Sequence, residues 1–497
     1  MSHPVPARTR LAPGSFIGAL ALALACASCA DTAGRHGRVA LSECRLPHLA
    51  QAAQCGTIRV PENRAQPGGR QIELFAAILP ANTLSPQPDP LVILAGGPGQ
   101  AASTLAGFAQ SLGAVRRTRD IVLIDQRGTG RSAALSCKAF TADDRAEFEL
   151  DPVPKARACL EELKSRGADP AQYTTTRWVE DLEAVRDALG YPRLNLWGGS
   201  YGTRVALEYL RRHPERVRTV VLDGVAPPAL RITLDVWRTR DAALDDIIAA
   251  CRASPACSHA FPDPAATLEG IERDLGDGKE VTFEDPRVGA PQTFRFTFEH
   301  VIGALQPLTY APELASLVPE LLQRASEGDY APLVAATLAV TADLPEQMNA
   351  ALHYSVTCAE DVPRIDATTR TKVLLDSRAG RMAERIIAVC DLWPRGDMPA
   401  DFATPVTSNV PVLLLSGGLD PVTPPAYGAE VARTLTHSRH IVAPGYGHIV
   451  SPHACAPRLV STFVERGDFD TLSEACIAKL GQSKRPPFFT DRLAARP

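Results

Sequence analysis

The sequence has little net charge and lacks long apolar runs and metal-binding cysteine pairs. Each of these features argues against a class of function. The 497 residues carry a formal net charge of −4 at pH 7, whereas nucleic-acid-binding domains carry a basic excess. The apolar run of residues 16–25 is too short to span a bilayer. Beyond residue 30 the chain lacks the C-x2-C pairs typical of zinc sites and the P-loop and dinucleotide-binding patterns. We therefore expect no nucleic-acid partner, transmembrane span, metal or cofactor.

The first 30 residues have the composition of a bacterial secretory signal. Two arginines precede the apolar run from Phe16 to Ala25, and small residues follow as far as Ala30, which is the usual order in a signal peptide. Cleavage after Ala30 would release a chain into the periplasm or the medium. In an alternative interpretation, residues 22–26 resemble a lipoprotein signal, and Cys26 becomes a lipidated first residue that anchors the protein to a membrane.

Ten of the 12 cysteines lie beyond this leader, and an even number in an exported chain indicates disulfides. Connectivity does not follow from sequence, so nearness along the chain is the only basis for a pairing. Pairing neighbours gives Cys44–Cys55, Cys137–Cys159, Cys251–Cys257, Cys358–Cys390 and Cys455–Cys476.

Hydrophobic patterns predict an α/β fold with a large insertion. Eight segments resemble strands: 57–61, 71–79, 91–95, 121–125, 194–199, 218–223, 410–415 and 439–443. Helical patterns separate most of them, which favours a mostly parallel eight-stranded sheet. Between the sixth and seventh strands, residues 229–404 are mainly helical in pattern. We expect them to form a lid on a sheet domain made of residues 44–228 and 405–480, followed by a tail, 481–497.

The most informative motif is G-x-S-x-G at the junction between a predicted strand and a helix. An apolar run ends in Gly198-Gly199-Ser200-Tyr201-Gly202, and a helical pattern follows at once. Such a turn exposes a serine hydroxyl in strained backbone, and glycines leave room around it. We interpret Ser200 as a nucleophile. The alternative is a glycine-rich turn with an ordinary surface serine.

A serine nucleophile needs a base and an acid that orients the base, in the chain order Ser, Asp or Glu, His. Asp420 follows the seventh predicted strand and His448 follows the eighth, so both belong to the carboxyl edge where such sheets place their sites. Asp420 could instead cap the helix that begins near Pro424. His453 is the rival base.

A second glycine-rich loop, Gly96-Gly97-Pro98-Gly99, follows the third predicted strand. A tetrahedral intermediate needs two preset N–H donors, and we expect them from the backbone of Gly97 and of Tyr201, the residue after the nucleophile. The alternative, a phosphate-binding loop, is disfavoured because nucleotide-binding patterns are missing.

Together with residues 125–132, Asp-Gln-Arg-Gly-Thr-Gly-Arg-Ser, these motifs resemble the prolyl and tripeptidyl aminopeptidase branch of the α/β-hydrolases. Residues 390–394, the Asp420 loop and the Gly-Tyr-Gly-His448 segment resemble its tripeptidyl-type C-terminal region. The resemblance implies an α/β-hydrolase fold, a triad of Ser200, Asp420 and His448, and a supporting role for the loop 125–127. Ala95 and Tyr201 replace the His and Trp of typical prolyl aminopeptidases, which favours the tripeptidyl type.

The resemblance implies a secreted serine exopeptidase, expected to be monomeric, that acts on the N-termini of small peptides. Lid carboxylates hold the substrate ammonium in this family, and Glu360, with Asp361, is the best candidate beside Cys358. Two solvated acids on a lid turn are the alternative. A carboxylesterase or lipase-like hydrolase would use the same triad, and a catalytically inactive binding protein is a third hypothesis.

Overall fold

The computed structural model describes residues 35–140, 151–285, 289–341 and 347–490. The predicted leader, including Cys26, lies outside these ranges, and so does the end of the predicted tail. No helix within them combines the length and the apolar character needed to cross a membrane.

The described elements alternate between strands and helices in the two sheet-forming parts of the chain. The strands are β1 (Arg35–His36), β2 (Val39–Ala40), β3 (Ser42–Cys44), β4 (Ala53–Pro61), β5 (Gln71–Leu79), β6 (Leu91–Leu94), β7 (Ile121–Ile124), β8 (Leu194–Gly199), β9 (Val217–Asp223), β10 (Lys279–Glu284), β11 (Pro291–Phe296), β12 (Val412–Gly417) and β13 (Ser438–Ala443). The α-helices are α1 (Ala106–Ser111), α2 (Val153–Ser165), α3 (Thr175–Leu189), α4 (Tyr201–Arg212), α5 (Ile232–Ala253), α6 (Pro255–Ala260), α7 (Pro264–Leu275), α8 (Phe298–Leu308), α9 (Pro312–Ala315), α10 (Val318–Ser326), α11 (Ala331–Thr341), α12 (Ala350–Glu360), α13 (Ala367–Asp376), α14 (Gly380–Val389), α15 (Pro425–Ala432), α16 (Ala456–Arg466) and α17 (Glu474–Gly481).

Nine of the described strands form one mixed sheet in the order β13-β12-β9-β8-β6-β7-β5-β4-β3. The six strands from β13 to β7 pair in parallel, and β5, β4 and β3 add antiparallel pairs at one edge. All eight strands expected from the sequence belong to this sheet. The ninth, β3, has only three residues, which is too few for a period-two pattern to be recognised.

Both faces of the parallel part are buried, which explains why its strands are continuous apolar runs. In β6, Val92 and Leu94 pack into one hydrophobic cluster with α3 and α4. Leu91 and Ile93 pack into a second cluster with α1 and α16 on the opposite face. Successive side chains of a strand point to opposite faces, so a strand covered on both sides needs apolar residues at every position.

The chain between β9 and β12 forms the mainly helical insertion, from α5 to α14, together with the antiparallel hairpin of β10 and β11. This insertion, called the lid below, buries a hydrophobic cluster of its own, which includes Leu268, Ile302, Leu322 and Leu338. Part of the lid therefore packs around its own core, while other lid residues, among them Val356 and Ile387, pack into the first cluster of the sheet domain.

Within the described ranges five disulfides are formed, between the same cysteines that neighbour pairing suggested. Cys358 lies on α12 and its partner Cys390 directly follows α14, so this bridge joins two segments of the lid. The bridge from Cys251 to Cys257 joins the end of α5 to α6. Disulfides stabilise chiefly by constraining the unfolded chain, and more so when the closed loop is longer.

Loss of the Cys358–Cys390 bridge should therefore lower the free energy of unfolding more than loss of the Cys251–Cys257 bridge. The two bridges close sequence separations of 32 and 6 residues, for which the chain-entropy relation gives a difference of about 1.5 kcal/mol. Urea unfolding of the Cys358→Ala/Cys390→Ala and Cys251→Ala/Cys257→Ala proteins, under the same oxidising conditions, measures this difference. Equal losses would contradict the expectation.

Candidate active site

Ser200 occupies a strained turn between β8 and α4. Its φ of 56° and ψ of −125° are rare for a residue with a side chain. Its N–H donates to the carbonyl of Asp223 at the end of the neighbouring strand β9, at 2.9 Å. The flanking glycines are required, because a Cβ on Gly198 would lie 2.4 Å from the carbonyl oxygen of Gly202, and a Cβ on Gly202 would lie 2.1 Å from that of Leu94.

Asp420 and His448 form a buried acid–imidazole pair. His448 Nδ1 lies 2.8 Å from Asp420 Oδ2. The carboxylate also accepts hydrogen bonds from Val422 N and Thr423 N, each at 2.9 Å, and from Thr423 Oγ1 at 2.7 Å. Four donors thus fix the plane of the carboxylate, and the carboxylate in turn fixes the orientation of the imidazole.

Electrostatics favour the charged form of both partners. Burial raises the pKa of Asp420, but the charge of His448 and the hydrogen bonds that the carboxylate accepts outweigh it, so this pKa is lowered. Burial lowers the pKa of His448, but the charge of Asp420 and the hydrogen bond to it outweigh burial, so this pKa is raised. An imidazole of raised basicity beside a fixed carboxylate is suited to accept a proton.

Asp223 joins the two halves of the site and was missed by the sequence analysis. While its carbonyl accepts from Ser200 N, its carboxylate accepts from Val450 N at 2.8 Å and from Ser451 N at 2.6 Å. The loop that carries His448 is thereby fastened beside the Ser200 turn. A Cβ on Gly224 would lie 3.1 Å from His448 Cε1. The sequence feature that could have identified Asp223 is its position at the carboxyl end of a buried strand.

The loop of residues 96–99 lies against Ser200. A Cβ on Gly96 would lie 3.3 Å from the Ser200 Cβ, and Gly97 has a φ of 106°. Tyr201 is the first residue of α4, so its N–H has no acceptor within the helix. The predicted donor Tyr201 thus directly follows the serine, and the predicted donor Gly97 belongs to the loop whose Gly96 lies against it.

The lid contacts this loop and the His448 loop at the same time. Asn349 N donates to the carbonyl of Gly99 at 2.8 Å, and His353 Nδ1 on α12 lies 3.3 Å from the carbonyl oxygen of Pro98. On the other side, His448 N donates to the carbonyl of Tyr310 at 3.0 Å. Backbone contacts thus hold lid segments next to both sides of the Ser200 turn.

The structure places Glu360 and Asp361 differently from their predicted role as ligands of a substrate ammonium. Both side chains are fully buried and pair with Arg204 of α4, at 3.4 and 3.0 Å. Asp361 also accepts from Ile232 N and from Arg364. The carboxylates belong to an ionic cluster with Arg204 of the nucleophile helix and Arg364 of the lid, so the chain itself supplies the positive charge that the prediction assigned to the substrate ammonium.

Glu360 is connected to the residue after the nucleophile through Thr175. Thr175 donates from its N–H to Glu360 Oε1 at 2.6 Å and from its hydroxyl to Oε2 at 2.9 Å. The Thr175 hydroxyl lies 2.7 Å from the Tyr201 hydroxyl, which also accepts from Gln126 Nε2 at 3.3 Å. This network holds the Tyr201 hydroxyl in place and links the lid, the nucleophile helix and the loop after β7.

The remainder of the loop after β7 is held within the core. Asp125 accepts from Ser103 N at 2.8 Å and from Arg131 N at 3.0 Å, and burial raises its pKa. Arg127 is fully buried and donates two hydrogen bonds to Asp181 of α3, at 2.5 and 2.7 Å. These residues thus serve as internal support, as the resemblance implied.

The rival base, His453, has no hydrogen bond to Asp420 among the described contacts. His453 is exposed, and its ring lies 5.2 Å from the ring of Tyr446. Among the described histidines, it is His448 that contacts Asp420.

Glu360 should make the protein less stable as the pH rises from about 4.5 to about 7. Burial is the main cause that raises its pKa from 4.5 to about 7, against the opposing charge of Arg204. Over this range the folded carboxyl keeps its proton while the unfolded one has lost it, so a rising pH favours unfolding until the folded carboxyl also ionises.

Urea unfolding between about pH 5 and pH 8 measures this effect against Glu360→Gln, which has no carboxyl group to titrate there. The free energy of unfolding of the wild type, relative to that of the variant, should decline as the pH rises and then level off above about pH 7. Glu280→Gln, which alters an exposed lid residue, should run parallel to the wild type. A constant gap between wild type and Glu360→Gln would contradict the expectation.

Comparisons with known proteins agree with this geometry. Residues 89–270 match the family described as alpha/beta hydrolase fold, and residues 377–476 match the family described as TAP-like protein. The chain is 27% identical to serine protease Hip1 of Mycobacterium tuberculosis over 430 residues, which cover 78% of this chain and 80% of that protein.

Two further relatives have different names. Tripeptidyl aminopeptidase of Streptomyces coelicolor is 32% identical over 203 residues, which cover 37% of each chain. Carboxylesterase B of Mycobacterium tuberculosis is 27% identical over 438 residues, which cover 78% of each chain. The sheet order, the Ser200 turn and the two family matches show that the chain is a serine hydrolase with the α/β-hydrolase fold and a TAP-like C-terminal region, similar to serine peptidases.

Proposed function

We propose that this serine hydrolase is an exported exopeptidase that releases short peptides or single residues from the N-termini of small peptides. The observation that carries the proposal is the Ser200 turn, fastened through Asp223 to the loop in which His448 pairs with Asp420 at 2.8 Å. The names of the relatives, a serine protease and a tripeptidyl aminopeptidase, support peptides as the substrate class.

In the proposed mechanism, His448 takes the proton of the Ser200 hydroxyl as the oxygen attacks the scissile carbonyl carbon. The N–H groups of Gly97 and Tyr201 stabilise the oxyanion of the tetrahedral intermediate. The C–N bond then breaks, His448 gives its proton to the leaving amine, and an ester on Ser200 remains. A water molecule, deprotonated by His448, hydrolyses this ester and regenerates the enzyme.

The lid supports an action on small substrates. It bonds to the Gly99 carbonyl through Asn349 N and to His448 N through the Tyr310 carbonyl, so its segments border the site on two sides. A folded protein chain would have to displace these contacts to reach Ser200, whereas a short peptide would not. The five disulfides and the predicted leader support export.

An esterase is the second candidate, because fold and triad do not determine the acyl group, and one relative is named carboxylesterase B. Aminoacyl- and tripeptidyl-nitroanilides, with free or blocked N-termini, would be compared with p-nitrophenyl esters. Preferential cleavage of free-amine tripeptidyl substrates supports the exopeptidase. Cleavage of esters alone would replace it with the esterase. Ser200→Ala protein provides the background rate.

Asp420→Asn should reduce kcat by about 10⁴-fold without unfolding the protein, because an amide in place of the carboxylate favours the wrong tautomer of His448. His448→Ala should cause a comparable loss, and Ser200→Ala should also abolish labelling by a fluorophosphonate probe. Initial rates on the best nitroanilide measure the effect. The control is His453→Ala, which changes the exposed alternative base and should keep the wild-type rate. If His453→Ala lost activity while His448→Ala remained active, His453 would be the base instead.

A further inference from the structure

Three lid residues beside His448 form a cluster rich in hydrogen-bond donors. Arg240 of α5 donates from Nη2 to the Tyr310 hydroxyl at 2.5 Å and from Nη1 to Gln306 Oε1 of α8 at 3.3 Å. The guanidinium also lies over the rings of Trp237 and Tyr310, at 5.3 and 5.4 Å from their centroids. Both acceptors are neutral oxygens, so these two bonds leave the positive charge uncompensated.

Two donors of this cluster are buried without an acceptor among the described residues. They are Arg240 Nε and Gln306 Nε2. Buried N–H groups in proteins are nearly always paired, because an unpaired one forfeits its bonds to water. A cation with two unpaired donors on the same small cluster is what a carboxylate requires, since a carboxylate supplies both acceptor atoms and the opposite charge.

The cluster lies at the candidate site and not elsewhere on the lid. The Tyr310 ring meets the His448 ring edge-on at 5.3 Å between centroids, and its carbonyl accepts from His448 N. The charge of Arg240 acts against protonation both of His448 and of His353, which lies beside the Pro98 carbonyl. Arg240 is therefore within electrostatic reach of both sides of the cleft.

We propose that Arg240 and Gln306 bind the C-terminal carboxylate of the peptide that leaves during acylation, so that the enzyme prefers substrates with a short leaving segment and a free carboxyl end. This inference rests on the proposed exopeptidase function. In that mechanism His448 hands its proton to the leaving amine, so groups next to His448 face the leaving segment. The planar fork of arginine fits a carboxylate through two parallel hydrogen bonds.

The test compares a tetrapeptide with a free C-terminal carboxylate and the same tetrapeptide as its C-terminal amide. The wild type should cleave the acid with a kcat/KM about 10–100-fold higher, which is the size of a charge-assisted hydrogen bond. Arg240→Gln should bring the ratio of acid to amide close to one, and Arg240→Lys should retain part of the preference. Arg238→Gln, which alters an exposed arginine on the same helix, should keep the wild-type ratio.

Tripeptidyl-nitroanilide has no carboxylate on its leaving group, so its cleavage tests the exopeptidase function alone. If the wild type cleaves the nitroanilide but treats acid and amide alike, or if Arg240→Gln keeps the preference, the carboxylate site is overturned and the exopeptidase stands. If the nitroanilide is not cleaved, the exopeptidase is overturned.

Calorimetry on Ser200→Ala protein then decides the carboxylate site directly, because equal affinity for the acid and the amide would overturn it. A preference for Asp-amide over Asn-amide as the leaving residue, without a preference for the free acid, would overturn its assignment to the chain terminus.

Discussion

The positive φ of Ser200 is the constraint on which the rest of the site depends. A side-chain-bearing residue in this conformation costs about 1–3 kcal/mol and persists only where its surroundings determine it. Here the surroundings are the central strand β8, the helix α4 that begins at the next residue, and the carbonyl of Asp223 that holds the Ser200 N–H. The glycines on both sides remove the side chains that would collide with this turn.

Asp223 connects the constrained Ser200 turn to the loop that carries the base, His448. One residue at the end of β9 holds the nucleophile turn through its carbonyl and the His448 loop through its carboxylate. Burial raises the pKa of this carboxylate against the hydrogen bonds of Ser451 and Val450, which favour its charged form. The distance between the nucleophile turn and the imidazole is thus governed by the sheet, which is the most rigid part of the fold, and not by the long loop alone.

The sequence predicted the parts of the site that depend on local patterns. Ser200, Asp420 and His448 each follow a recognisable strand, and the positions of the strands follow from their apolar runs. The environment of Glu360 could not be predicted, because it depends on Thr175 and Arg204, which are 185 and 156 residues away. Two acids next to a cysteine have the same local pattern whether they face solvent, a substrate ammonium or a buried arginine.

The ion pairs of the lid also show which of its charges are compensated within the chain. The lid acids are neutralised from within by Arg204, deep behind Tyr201, whereas Arg240 meets only neutral oxygens in its two side-chain hydrogen bonds beside His448. A buried carboxylate compensated by the chain contributes little field to the cleft, whereas a cation whose hydrogen-bond acceptors are neutral keeps its charge uncompensated. Arg240 therefore adds positive charge beside the imidazole, where Asp420 and Asp223 contribute negative charge and outweigh it at the His448 ring itself.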